Sequence, residues 1–279
     1  MPEHNRSRTA WFVALLACLL GCLGAAVASQ GRAEDASLSA AVCPIVYQLD
    51  QSPASRGYRY SFFGNGFFIN EEGYILTVAH VLETFRDGGQ PYVLINRPDS
   101  PPQLLRADVI AVDTEHDVAI LRATPNPFTG KHTVTFLPLA SDAAFLGQHV
   151  IALSLHPQKP RNAQSFQAPQ EDRSSGEVLS YEFTQLEKSA PAAEVFLLSH
   201  PVTLGQSGSP VLALDSQAVV GLIEGRWLRS RGLSMGTASS RSASVPGAAI
   251  PVRYAIALLQ RQSIFWHAPQ PAQPASPPR

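Results

Sequence analysis

The chain has 279 residues, of which 45% are hydrophobic and 15% are charged. This length and balance indicate a globular protein with room for one large all-β unit or two small domains. Its 21 Lys and Arg residues against 22 Asp and Glu residues give a net charge of -1, so no overall field predicts nucleic acid or an anionic membrane as a partner.

Residues 1–28 have the layout of a secretory signal peptide. Basic residues precede an apolar run from Trp11 to Leu23, and Ala26-Val27-Ala28 fits a small-residue cleavage site. Two alternatives stay open: lipidation at Cys18 or Cys22, each of which ends a lipobox-like sequence, or retention of the run as a membrane anchor. We therefore expect an exported protein, periplasmic or secreted, with a lipoprotein or a membrane-anchored protein as the alternatives.

The cysteine count favours a bacterial envelope. Cys18 and Cys22 lie in the signal segment, so only Cys43 remains in the mature chain and no internal disulfide is possible. Small secreted animal enzymes usually carry several disulfide bridges. A disulfide-free exported domain of this size fits a bacterial envelope better, and we expect Cys43 to be a buried small hydrophobic residue.

Short apolar runs separated by turn residues recur through the chain. Many short strands with polar turns are typical of an all-β barrel or sandwich rather than of alternating strands and helices. The predicted strands are Tyr58–Phe63, Gly66–Ile69, Tyr74–Val78, Tyr92–Ile95, Val109–Val112, Val118–Leu121, Val150–Leu155, Val195–Leu198, Val211–Leu214 and Val219–Ile223. One helical pattern follows in Pro251–Gln262, where Val252, Ile256 and Leu259 share a face.

Two long polar stretches interrupt the strands, and a third ends the chain. Pro157–Ser175 is rich in Gln, Pro and charge, and Arg226–Gly247 is rich in Ser, Gly and Arg. Loops of this length in a compact domain are usually functional or disordered, so we expect both stretches to be such loops. The proline-rich tail from Pro269 to Arg279 is expected to be extended and unpacked.

Three segments carry the residues of a nucleophilic hydrolase site. His80 follows an apolar strand, Asp117 opens another strand after a turn, and Ser207 stands between Gly205 and Gly208. A serine hydroxyl is a poor nucleophile until a base accepts its proton, and that base needs an acceptor on its other nitrogen. The three segments therefore predict His80 as the base, Asp117 as the orienting carboxylate and Ser207 as the nucleophile.

The turn around the serine offers donors for the negative charge that such a reaction develops. The backbone N–H groups of Gly205 and Ser207 are placed to converge on an oxyanion, an interaction that contributes on the order of 3 kcal/mol in enzymes. Gly205 supplies the backbone freedom that the turn needs. The histidines have no metal-ligand spacing and no glycine-rich phosphate loop follows a strand, so we expect no metal and no organic cofactor.

Together these motifs resemble the trypsin-like (chymotrypsin-fold) serine proteases, and in particular the disulfide-poor bacterial branch that includes the HtrA/Deg proteases. The resemblance extends over Cys43–Gln262, through Gly64–Ile69, Gly73–His80, His116–Leu121, Gly205–Pro210 and Ala249–Ile256. It implies two perpendicular six-stranded antiparallel β-barrels with the triad between them and a short C-terminal helix. It also implies a serine endopeptidase that acts on proteins or peptides through an acyl-enzyme intermediate.

The resemblance also divides the chain into regions. These are the signal peptide (1–28), an N-terminal lead (29–42), the first barrel (43–140), the second barrel with the helix (141–262) and a proline-rich tail (263–279). No PDZ-sized segment follows Gln262, so we expect a protease domain without the PDZ domain of a full HtrA protein. We expect no nucleic-acid partner, and a membrane tether only if the N-terminal segment is retained or lipidated.

Substrate preference is implied by the same resemblance. Pro201, six residues before the nucleophile, takes the place of the floor of the primary pocket, and a neutral floor argues against a preference for Lys or Arg. The strand that contains Leu222, Ile223 and Glu224 is expected to form a pocket wall and to bind substrate as an added β-strand. Leu204 is a further candidate for substrate contact. We expect a small or apolar residue before the cleaved bond.

Two other function classes are alternatives to a protease. An α/β-hydrolase esterase needs G-x-S-x-G and the chain order Ser, acid, His, whereas Ser209 occupies the last Gly position and the order is reversed here. A protease-fold binding protein, catalytically silent or activated by a partner, is the alternative that we retain. Gln206 precedes the nucleophile where digestive trypsins have Asp, which argues against activation by a newly cut N-terminus. The two long polar stretches would flank the cleft and are candidates for switching the site.

Overall fold

The computed structural model describes residues 38–49, 59–85, 89–97, 100–129, 134–158, 167–186, 190–227 and 245–269. The predicted signal peptide and nearly all of the tail lie outside the described residues, as does most of Arg226–Gly247. The elements below belong to one compact unit that begins at Ser39. Within the described ranges no helix has the length and the apolar composition needed to cross a bilayer.

The first barrel closes from six antiparallel strands in the order β1, β2, β3, β6, β5, β4. A 3-10 segment, Ala79–Phe85, follows β3. Apolar side chains fill the barrel, and Phe67, Ile75 and Ile120 are among those that are completely buried. The strands are β1 (Val42–Leu49), β2 (Arg59–Phe68), β3 (Tyr74–Thr77), β4 (Pro91–Arg97), β5 (Ser100–Asp113) and β6 (Val118–Thr124).

The second barrel closes in the order β10, β11, β12, β9, β8, β7. Its core includes Val150, Phe196, Val211 and Ile223. The strands are β7 (His149–His156), β8 (Gln170–Thr184), β9 (Ala193–Leu198), β10 (Pro210–Ala213), β11 (Val219–Arg226) and β12 (Gly247–Pro251).

One helix, α1 (Val252–Arg261), follows the last strand of the second barrel directly. It begins after Pro251, whose fixed φ suits a helix start. Val252, Ala255, Leu258 and Leu259 form its buried face. The predicted fold is therefore confirmed, with two closed six-stranded antiparallel barrels and a helix near the C-terminus.

The prediction that Pro157–Ser175 is entirely a loop was wrong. β8 begins at Gln170 and pairs with β7 in antiparallel register from His156↔Gln170 to His149↔Glu177. Only Val178 among the residues of β8 is buried, and the part of the strand that was predicted as a loop, 170–175, carries only polar side chains, so no apolar alternation reveals it.

Cys43 lies on β1 and is completely buried with a free thiol, as expected. Burial raises the pKa of this thiol strongly, although a hydrogen bond to the carbonyl of Gly66 opposes the effect. A buried thiol that stays protonated is a poor nucleophile, so Cys43 behaves as a small apolar residue of the barrel.

Candidate functional site

His80 and Asp117 form a hydrogen-bonded pair on the first barrel. His80 lies in the 3-10 segment after β3, and Asp117 lies in the turn between β5 and β6. The Oδ2 atom of Asp117 is 2.7 Å from Nδ1 of His80, and its Oδ1 atom accepts the backbone N–H of His80 at 2.8 Å. Because an ionised carboxylate only accepts hydrogen bonds, it holds the proton of the neutral ring on Nδ1 and leaves Nε2 as the base.

The backbone around Asp117 directs its carboxylate to the histidine. Asp117 has a φ of 53°, in the left-handed region that Asp adopts more readily than most non-glycine residues. Its carbonyl accepts the N–H of Ala79 at 3.1 Å, so main chain and side chain of Asp117 both bind the start of the 3-10 segment. With 6% exposure, the residue is protected from competing water.

Neighbouring carboxylates favour the protonated form of His80. Burial alone would lower the pKa of His80, but the hydrogen bond and charge of Asp117, with the charges of Glu224 and Glu83, outweigh burial and raise that pKa above its ordinary value. Burial and then the charge of Asp117 raise the pKa of the Glu224 carboxyl, while His80 acts in the opposite direction. His80 therefore lies in an environment that stabilises an imidazolium ion.

Ser207 lies in the segment between β9 and β10, across from the histidine-bearing segment. Gly64 on β2 lies between Ser207 and the 3-10 segment. A Cβ at this glycine would lie 2.6 Å from the Ser207 carbonyl oxygen and 2.7 Å from Cγ2 of Val81, so only glycine fits there. The Oγ atom of Ser207 donates to the carbonyl oxygen of Glu224 at 3.1 Å. Within the described part of the chain, His80 and Ser207 do not share a hydrogen bond.

Two consecutive tight turns shape the chain around Ser207. Gln206 N–H donates to the Thr203 carbonyl at 3.3 Å around Gly205, whose φ is 91°, and Ser209 N–H donates to the Gln206 carbonyl at 3.0 Å. We call Thr203–Ser209 the nucleophile turn. Among the described residues, neither the N–H of Gly205 nor that of Ser207 has a hydrogen-bond acceptor. Both predicted oxyanion donors are therefore available to a substrate oxygen.

Asn65 connects the nucleophile turn to both barrels. Its buried side chain donates from Nδ2 to the Gly205 carbonyl at 2.9 Å, and its Oδ1 accepts the N–H of Leu155 on β7 at 3.0 Å. Its own N–H donates to the Ser207 carbonyl at 2.8 Å, and its carbonyl accepts the Thr77 hydroxyl at 2.7 Å. Two of these hydrogen bonds reach the turn, one reaches β3 of the first barrel and one reaches β7 of the second, so Asn65 ties the turn to both barrels.

Gln206, a residue of the nucleophile turn, connects the turn to β8 of the second barrel. Its side chain, in a residue only 2% exposed, accepts the N–H of Thr203 at Oε1 and donates from Nε2 to Oδ2 of Asp172 at 3.1 Å. Asp172 lies on β8, in the part of the chain predicted as a loop, and sequence reasoning gave it no role. Asn65 was also missed, although a polar residue between two glycines in an apolar strand is the available signal for a special contact.

Residues 64–222 match a family model, the trypsin-like peptidase domain. This match covers more than half of the chain, and its range includes His80, Asp117 and Ser207. The chain belongs to the trypsin-like peptidase domain family. The predicted resemblance to trypsin-like serine proteases is confirmed.

Similar proteins agree with this family. A stretch of 77 residues is 35% identical to a probable periplasmic serine endoprotease, DegP-like, of Halomonas elongata, and it covers 27% of this chain and 15% of that relative. The MamO protease domain of Magnetospirillum magneticum has a TM-score of 0.54 at 16% identity and covers 80% of this chain and 98% of its own. For Deg5 the TM-score is 0.54 at 17% identity, with 86% and 98% covered. The structural likenesses show the trypsin-like fold.

The five residues predicted for substrate contact lie in different environments in this trypsin-like peptidase. Leu222 and Ile223 are completely buried in β11, whereas Leu204 is 90% exposed. Pro201 is exposed, and Glu224 is half-buried. The side chains of Leu222 and Ile223 are therefore removed from solvent, and the substrate roles of all five residues stay predictions.

Val202, the residue after Pro201, has its side chain buried in the second barrel. It is 2% exposed and packs against Gly247 of β12, where a Cβ would lie 2.4 Å from Cγ2 of Val202. The carbonyl of Val202 accepts a hydrogen bond from Nε of Arg226 on β11 at 3.0 Å.

No cluster of three or more His, Cys, Asp or Glu residues suited to a metal ion occurs in the described ranges.

Proposed function

We propose that this trypsin-like peptidase is an exported endopeptidase that hydrolyses peptide bonds through Ser207, His80 and Asp117. Family membership supports a serine protease that acts on proteins or peptides. The observation that carries the finer proposal is the 2.7 Å pair of His80 and Asp117 beside a turn whose Gly205 and Ser207 N–H groups have no acceptor in the described residues.

In the acylation step, Nε2 of His80 accepts the proton of Ser207 while Oγ bonds to the carbonyl carbon of the substrate. The carbonyl oxygen takes the electron pair of its π bond and is held by the N–H groups of Gly205 and Ser207. The imidazolium of His80 then gives its proton to the leaving nitrogen, the C–N bond breaks, and an ester on Ser207 remains. Asp117 stays ionised and stabilises the imidazolium throughout.

Deacylation follows the same steps with water as the nucleophile. His80 accepts a proton from water as the water oxygen bonds to the ester carbon, and then returns a proton to Oγ as the ester bond breaks. The product acid leaves and Ser207 is regenerated. For each cycle to begin, Oγ must leave the Glu224 carbonyl, which it occupies in the resting arrangement.

We propose that substrate binds as an extended segment along β11, with a small or apolar residue before the cleaved bond. The proposed organisation keeps a signal peptide at 1–28, barrels within 43–140 and 141–262, and a tail at 263–279. Export to the bacterial periplasm is supported by the signal-like N-terminal segment and by the printed periplasmic location of the Halomonas elongata relative. Lipidation or retention of that segment would tether the protein to a membrane.

A protease-fold binding protein, silent or activated by a partner, is the second candidate. One observation favours it: Ser207 Oγ binds the Glu224 carbonyl and has no hydrogen bond to His80. In this alternative the resting site awaits a ligand that moves Oγ towards the base.

A peptide library distinguishes the two candidates. The chain from Ser29 onward is incubated with the library, and new termini are identified by mass spectrometry for the wild type, Ser207→Ala and His80→Ala. Ser216→Ala and His149→Ala serve as controls, because both residues are exposed and lie outside the site. We expect cleavage by the wild type and the controls and none by the site variants. Absence of cleavage by every protein would favour the binding protein.

A further inference from the structure

Two hydrogen bonds between Thr203 and Gln206 close the nucleophile turn. The backbone N–H of Gln206 donates to the Thr203 carbonyl, and the side-chain Oε1 of Gln206 accepts the N–H of Thr203 at 2.6 Å. Gly205, which carries one of the two oxyanion donors, lies between these residues. The direction of the Gln206 side chain therefore bears on the conformation of Gly205.

A primary amide can bind its surroundings in two orientations that differ by a half turn. Only the orientation with Oε1 towards Thr203 N–H closes the turn, because the reversed amide would bring NH2 against that N–H. An ionised carboxylate accepts hydrogen bonds and cannot donate them, so a carboxylate beside the amide selects the orientation that presents Nε2. Oδ2 of Asp172 occupies that place, 3.1 Å from Nε2 of Gln206.

Asp172 is fixed in this place by β-sheet pairing. It lies opposite Ser154 in the antiparallel pair of β7 and β8. Its Oδ2 is 3.7 Å from Nε2 of His156, whose ring packs edge-on against Phe62 with centroids 5.6 Å apart. A Cβ at Gly205 would in turn lie 2.5 Å from Phe62 and 3.4 Å from His156, so this cluster packs directly against the glycine of the turn.

We propose that Asp172 is a positioning residue for catalysis: its carboxylate orients Gln206 and thereby holds the N–H groups of Gly205 and Ser207 in place for the oxyanion. This inference rests on the proposed function, since it concerns the same site. It identifies β8, beside β11, as an element of the second barrel that acts on the nucleophile turn.

Reversal of the hydrogen-bond polarity tests the proposal. Asp172→Ala removes the acceptor, whereas Asp172→Asn keeps a carbonyl oxygen that can accept from Gln206. Gln206→Glu places a second carboxylate against Asp172, and like charges at this distance repel. Gln206→Glu combined with Asp172→Asn restores a donor facing an acceptor, with the amide now on β8. Glu171→Ala is the matched control, because this neighbouring carboxylate pairs with Arg173 away from the turn.

The first readout is the rate at which a fluorophosphonate probe modifies Ser207, together with kcat and KM for a cleaved peptide. A hydrogen bond to a charged group contributes about 1.5–3 kcal/mol, and about 1.4 kcal/mol corresponds to tenfold in rate. Because Asp172 is partly exposed, we expect the lower part of this range: about tenfold loss of probe rate and kcat in Asp172→Ala, with little change in KM. Gln206→Glu should lose more of the probe rate and of kcat. Adding Asp172→Asn to Gln206→Glu should restore both to within about threefold of the wild type.

The second readout does not need activity. Hydrogen–deuterium exchange of the peptide 202–208 should accelerate in Asp172→Ala and Gln206→Glu and return to the wild-type rate in the double variant. If the wild type does not react with the probe, the proposed function fails, and the exchange pattern still decides the positioning role. The proposal would be overturned if Asp172→Ala matched Glu171→Ala in both readouts, or if the double variant combined the two defects instead of restoring the wild type.

Discussion

Replacement of Asn65 by alanine removes two side-chain hydrogen bonds on which the nucleophile turn depends. The N–H of Leu155 loses its acceptor and the carbonyl of Gly205 loses its donor. A buried polar group left without a partner costs about 1–3 kcal/mol, which gives about 2–6 kcal/mol for the two. Gly205 is partly exposed and water can replace its partner, so we expect a loss of about 3 kcal/mol in the free energy of unfolding.

Asn126→Ala is the matched control for this prediction. Asn126 also makes two side-chain hydrogen bonds, to the Glu71 carbonyl and from the Phe128 N–H, but it is only half-buried and the first of these bonds is exposed. Water can satisfy both backbone groups there, so this variant should lose less than about 1 kcal/mol. Two residues with the same number of hydrogen bonds are thus expected to differ because of burial.

Urea unfolding of the two variants, followed by intrinsic fluorescence in a Ser207→Ala background to prevent self-cleavage, measures these losses. In the active background, Asn65→Ala should also react more slowly with a fluorophosphonate at temperatures where it is fully folded, by about tenfold, since Gly205 loses its anchor. Equal losses of stability in Asn65→Ala and Asn126→Ala would refute the assigned role of Asn65 as the buried connection between barrels and turn.

Two further predictions concern the glycines and the acid limb of the pH profile. Gly208→Ala should lose about 3 kcal/mol of stability and most probe reactivity, because its Cβ would lie 2.1 Å from the backbone oxygen of Asn65 at a φ of 80°. Gly147→Ala, with a φ of 79° and no atom within 4 Å of the added Cβ, should lose only about 1 kcal/mol. Equal shifts of the thermal unfolding midpoint in the two variants would refute the steric explanation. Glu224→Gln should move the acid limb of kcat/KM to lower pH, because the negative charge of Glu224 raises the pKa of His80 and catalysis needs the neutral base. Glu115→Gln should leave the limb in place, and an unchanged limb in Glu224→Gln would contradict the assigned interaction.

The sequence predicted the parts of this structure that depend on local patterns. The strands carry short apolar runs, as in Tyr74–Thr77 and Val118–Thr124 of the first barrel, and the two-barrel fold followed from the family resemblance. The pairing of His80 with Asp117 was predicted from the short motifs in which the two residues stand. That prediction used information within a few residues of each site.

The contacts that were missed join residues far apart in the chain. Asn65 binds partners 140 and 90 residues away, and Asp172 binds Gln206 across 34 residues. Neither contact leaves a periodic signal, and the part of β8 that was predicted as a loop, 170–175, carries only polar side chains. The rotamer of Ser207, which directs Oγ to the Glu224 carbonyl, depends on packing that a residue pattern does not encode.

The most direct test of an activated nucleophile is to map the residue that a fluorophosphonate modifies. The chain from Ser29 onward is labelled, digested and sequenced by mass spectrometry, beside Asp117→Asn, which keeps the shape of the side chain but not its charge. We expect one adduct, on Ser207, and a rate that falls by orders of magnitude in the variant because His80 is no longer held as the base. An adduct on another serine, or a wild type and variant that react equally slowly, would contradict the proposed triad.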